Sequence, residues 1–89
     1  MSPKHPDNVP KYPGTVRELA GDISRMRYNT LAKFLKVLTF EVDYQSIEDR
    51  ERGRVKLANA LLDLGEKLEA AQQAADAAWE ICKPYMKEK

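Results

Sequence analysis

Leu57, Leu61, Leu64, Leu68, Ala71, Ala75, Ala78 and Cys82 recur in alternating steps of four and three. In an α-helix that spacing places all eight along one stripe, the inner seam of a heptad repeat. A long apolar stripe is unstable bare in water, so a second helix must lie against it. The chain offers one. Leu19, Ile23, Met26, Thr30, Phe34 and then Val37 or Leu38 mark a second face. Its steps are nearer the straight-helix period than a strict heptad.

The start of the first helix is signposted. Thr15 followed by Glu18 has the spacing of a capping box, in which hydroxyl and carboxylate each satisfy a free backbone N–H. Gly21 weakens this helix by about 1 kcal/mol relative to alanine. The segment from Glu41 to Ser46 is the expected reversal, because Ser46 with Asp49 resembles a second N-terminal cap. Gly53 is a second candidate break. Pro84 is expected to stop the second helix, since it lacks an N–H and clashes with the preceding turn.

These signals predict an all-α chain: a long antiparallel helical hairpin that pairs into a dimeric four-helix bundle. Residues 1–14 form an extended proline-rich arm, and 15–89 form one hairpin domain. The helices run over about 15–43 and about 46–83, with the turn at about 43–46. Numbers facing across the pair then sum to about ninety, setting Leu57 against Phe34, Leu64 against Met26 and Leu68 against Ile23. No Asn-Gly or Asp-Gly hairpin signal argues for strands.

Four of the five prolines lie in the arm, as Pro3, Pro6, Pro10 and Pro13. Pro3-Lys4-His5-Pro6 and Pro10-Lys11-Tyr12-Pro13 have the Pro-x-x-Pro spacing that suits an aromatic-lined groove, but that spacing is common by chance and a plain tail is the preferred reading.

In this register the second helix outruns the first by about nine residues, or ~14 Å. Trp79, Cys82, Tyr85 and Met86 then need cover from elsewhere. Tyr12 or Val9 of the arm and a second copy of the chain are the expected sources, and these residues with Tyr12 form the expected interface.

Composition narrows the function classes. Fifteen basic residues nearly balance fourteen acidic ones, for a net charge of +1, so bulk charge does not favour nucleic acid. One cysteine makes no internal disulfide, which favours a reducing compartment. The opening residues carry no apolar signal segment, and no stretch approaches the ~20 apolar residues of a membrane span. A cytoplasmic location and no membrane partner are therefore expected.

The single histidine, His5, leaves Cys82 without a histidine base at hand and leaves no set of nitrogen and sulfur ligands for zinc. Glu51-Arg52-Gly53-Arg54 lacks the Gly-Lys-Ser/Thr ending of a phosphate loop. Neither a catalytic residue, a metal nor a cofactor is expected. The functional expectation is a non-enzymatic protein–protein interaction, assembly or regulatory module that acts as a small homo-oligomer with an unidentified protein partner.

The alternative is a nucleic-acid-associated accessory protein. In the expected register Lys33 and Lys36 come beside Arg54 and Lys56, and Lys33, Lys36, Arg52 and Lys56 are the expected contacts, with Tyr28 and Tyr44 as stacking faces. Ordinary ion pairing explains the same charges, with Arg50 and Arg54 pairing Glu41 and Asp43, and Glu48 pairing Arg52 one helical turn on.

Overall fold

In a computed structural model, residues 9–86 are described, with the backbone alone at Met86. The chain is all-helical there: α1 spans Val16–Ser24, α2 Tyr28–Glu51 and α3 Val55–Met86. The packing is a hairpin of α2 and α3. The molecule is a slab of 52 × 28 × 14 Å, one helix thick. Of the arm, Pro3-Lys4-His5-Pro6 lies outside the described residues.

The capping box at α1 forms as the sequence dictates. Thr15 Oγ1 accepts from the Glu18 N–H at 3.1 Å, and Glu18 Oε1 accepts from the Thr15 N–H at 2.8 Å. Gly14 makes room for this cap. A Cβ at that position would stand 2.7 Å from Glu18 Oε1 and 2.8 Å from the Tyr12 ring.

The first helix does not run unbroken to residue 43. It ends at Ser24, whose hydroxyl donates back to the Gly21 carbonyl at 2.8 Å. Arg27 then adopts extended backbone before α2 begins. The physical reason is phase. Leu19, Ile23 and Met26 extrapolate to Thr30 and Phe34, whereas α2 packs through Ala32, Leu35, Thr39, Val42, Ser46 and Asp49. These rows differ by about one residue, or ~100° of helix. The corner at Arg25–Arg27 separates α2, which packs on α3, from α1, which has no buried residue.

The reversal lies at Arg52–Arg54, not at 43–46. Tyr44 to Ser46 is continuous helix, and Ser46 donates its hydroxyl across the seam to the Ala58 carbonyl at 2.9 Å, so it packs rather than caps. The true stop is glycine-driven. Gly53 sits at φ +83°, its N–H reaches the Arg50 carbonyl at 3.0 Å, and the Arg54 N–H reaches the Asp49 carbonyl at 2.8 Å. That is a Schellman closure, which satisfies carbonyls that the helix end leaves free. The Arg54 guanidinium also meets the Asp49 carboxylate at 2.9 Å, tying together the two residues that the closure already joins.

The register moves with the turn. Ser46 faces Ala58, Asp43 lies against Gly65, and Arg27 stacks on Trp79. Facing numbers therefore sum to about 106, and the expected pairings of Leu57 with Phe34 and Leu64 with Met26 do not form. Pro84 does not end α3, which continues to Met86.

The interior is built from small groups. Its buried apolar residues are Ala32, Val42, Ala58 and Ala75, joined by the buried polar Thr39, Ser46 and Asp49. Thr39 satisfies its hydroxyl on the Leu35 carbonyl at 2.8 Å. On α3 the packed positions are Ala58, Leu61, Gly65, Leu68, Gln72, Ala75, Trp79 and Cys82, in steps of three and four. The expected stripe is thus half right: Leu61, Leu68, Ala75 and Cys82 face α2, while Leu57, Leu64 and Ala71 stay exposed. Small residues occupy the seam because the two backbones approach closely. A Cβ on Gly65 would collide with the Asp43 carboxylate.

Candidate functional site

A seam whose buried positions are mostly alanine, glycine and serine leaves many large apolar side chains exposed. Leu57 and Leu64 are each 45% exposed, and Phe34, Val37, Phe40, Tyr44, Ile47, Val55 and Leu62 are exposed as well. Singly, such residues are ordinary on a surface. Here they form two rows.

The first row follows from heptad geometry. Leu57, Leu64 and Ala71 each precede a seam residue of α3 (Ala58, Gly65, Gln72), as Leu31 and Leu38 precede Ala32 and Thr39 on α2. In an antiparallel pair those preceding positions fall along one edge of the seam. Phe34 stands one turn from both Leu31 and Leu38 and joins them. This edge presents aliphatic and aromatic surface from both helices.

The opposite edge is mixed, with the exposed Val55 and Leu62 of α3 standing among polar and charged groups. Lys36 and Asp76 line one shallow groove there with Gln72, and Arg50 donates to Asn59 Oδ1 at 2.7 Å. The second apolar row, Val37, Phe40, Tyr44 and Ile47, runs along the outer side of α2, with Val37 and Phe40 lining the same groove as Gln72 and Asp76 of α3.

The expected interface residues at the far end of α3 are partly covered by the chain itself. The Arg27 guanidinium lies over the Trp79 ring, 5.2 Å from its centroid, a cation–π contact made available by the α1–α2 corner. Cys82 is half-buried beside Ser24–Tyr28. Ile81 and Tyr85 beyond it are 73% and 72% exposed. The side chain of Met86 lies outside the described residues.

Tyr12 does not reach Trp79. Its hydroxyl donates to Asp22 Oδ2 of α1 at 2.6 Å. That bond, with a smaller effect of burial and the charge of Asp22, raises the phenol above its ordinary value. Val9, also expected over Trp79, is exposed.

The basic zone is divided by the register. Lys33 and Lys36 line the mid-hairpin groove, whereas Arg52 sits in the turn and Lys56 in the first turn of α3. Sixteen residues of helix, ~24 Å, separate Lys36 from Arg52. Arg50 and Arg54 do not pair with Glu41 and Asp43 as expected; they bond to Asn59 and Asp49. The remaining ion pairs are local and exposed, Lys67 with Asp63 and Lys83 with Glu80 on α3 and Arg25 with Asp22 at the end of α1.

Sequence reasoning identified the far end of α3 and missed the two exposed rows. The signal for them was present. Leu57, Leu64 and Ala71 are spaced seven apart, and Val37, Phe40, Tyr44 and Ile47 step by three, four and three. Among the described residues no helix is long and apolar enough to cross a membrane. Comparisons with protein-family models, with curated proteins and with solved structures gave no match to this chain.

Proposed function

We propose that this chain is a non-enzymatic interaction and assembly module that works as a homo-oligomer, most simply a dimeric four-helix bundle. One observation carries the reading: the fully buried residues of the hairpin are small, the seam residues Leu35, Leu61, Leu68 and Trp79 are only half-buried, and many other large apolar side chains are exposed. Among the described residues, four buried apolar ones, none larger than valine, are a thin interior for a helical unit of this length. The conformational entropy of ordering each residue, roughly 1–2 kcal/mol for backbone alone, needs far more apolar burial to offset it. Association supplies that burial.

The test is sedimentation equilibrium with circular dichroism across nanomolar to micromolar concentration. A particle of twice the 10.2 kDa chain mass, or a higher multiple, is the expected result at micromolar concentration. A fully helical monomer throughout would overturn the reading. The nucleic-acid alternative rests on a basic zone whose members the register holds apart, and no second reading is put forward on it.

A further inference from the structure

We infer that the edge formed by Leu31, Phe34, Leu38, Leu57, Leu64 and Ala71 is where a second copy of this chain stacks, the back of α2 being left free. This rests on the self-association proposed above and assigns it a face.

Three observations select this edge. It draws large apolar groups from both helices with few charges among them, whereas the opposite edge sets Phe40, Ile47, Val55 and Leu62 among Lys36, Arg50, Glu69 and Asp76. Its α3 row is the direct neighbour of the row already packed on α2. Leu61 and Leu68 face inward while Leu57 and Leu64 stand one position over, the arrangement of a helix that serves two seams in a bundle. It is also large enough. α2 has 24 residues, ~36 Å of length, and two helices side by side make a strip about 20 Å wide, or roughly 700 Å² before side-chain relief. A stable interface removes about 600–1,000 Å² from each partner. The occupant is a copy because the need for cover arises in folding itself. A slab 14 Å thick with an alanine interior requires a second layer whenever it is made, and its own kind is always present.

The row on the back of α2 fails the same criteria. Val37, Phe40, Tyr44 and Ile47 come from α2 alone, and where Val37 and Phe40 meet α3 they border the polar Gln72 and Asp76.

Two variants of the full chain are compared with wild type by sedimentation: Leu64→Glu on the proposed face and Phe40→Glu on the back of α2. Leu64→Glu is expected to weaken the dimer at least about 100-fold, and Phe40→Glu less than about threefold. Because Leu64→Glu removes cover that folding needs, thiol labelling in a Cys82→Ser background supplies a second measurement. In Leu64→Cys the thiol should react at least about tenfold more slowly above the dimer dissociation constant than below it. In Phe40→Cys the rate should not change with concentration.

The reverse pattern, with position 40 protected and 64 reactive, would overturn this face while leaving self-association intact. Protection of position 64 at every concentration would mean cover from the same chain and would also overturn it. A wild-type monomer would overturn the underlying reading and this face together.

Discussion

Single residues set the geometry at two points. Gly53 is held at φ +83° with open space where a Cβ would go. Gly53→Ala therefore clashes with nothing and isolates backbone strain. About 1 kcal/mol of lost stability is expected in denaturant unfolding, with helix content unchanged. An unchanged midpoint would mean that the turn is not closed through a left-handed residue.

Tyr12 is the other point. Its phenol is raised above the ordinary tyrosine value of 10.0 chiefly because it donates to Asp22, so folding favours the neutral form. A group that folding raises stabilises below its unfolded value and loses that contribution as pH climbs through the folded value. Absorbance at alkaline pH, taken as the difference between wild type and Tyr12→Phe, should show a midpoint above 10.0. Asp22→Asn should move it back toward the ordinary value. An unmoved midpoint would detach the arm from α1.

At the scale of elements, the sequence was legible where a signal is local and ambiguous where it is periodic. The α1 cap needs only Thr15 and Glu18 and formed as read. The turn did not. Ser46 and Asp49 carry the residue types of a cap, yet a serine within a helix is also small enough for a close seam, and tertiary packing chose the second use. Gly53, with no periodic role, was the better stop. The seam was misphased because leucines weigh heavily in any apolar pattern, while the closest helix contact selects alanine and glycine. Half of the leucine stripe was therefore read as interior when it is exterior.

Close approach makes a direct prediction. Gly65→Leu should force α2 and α3 apart and cost about 1–3 kcal/mol. Gly65→Ala asks only that the Asp43 carboxylate swing aside, and helix propensity of about 1 kcal/mol favours it, so its effect should be far smaller. Thermal melts of the two variants decide this; equal effects would mean that the seam has slack at Gly65.

For the whole molecule, the thin interior links folding to concentration. If a hairpin with four buried apolar residues, Ala32, Val42, Ala58 and Ala75, completes its core only in company, unfolding and dissociation are one event. Each tenfold rise in chain concentration then adds about 1.4 kcal/mol per dimer, which should lift the melting midpoint by roughly 3–5 °C. Leu64→Ala separates the contributions. Within one hairpin Leu64 is 45% exposed, so its truncation should cost little in an isolated chain. At a buried face between copies the same change should cost about 2–5 kcal/mol for each side chain removed. A melt that keeps one midpoint from nanomolar to hundred-micromolar chain, and is indifferent to Leu64→Ala, would mean that the alanine seam suffices alone. The exposed leucines would then be surface apolar area with no structural partner.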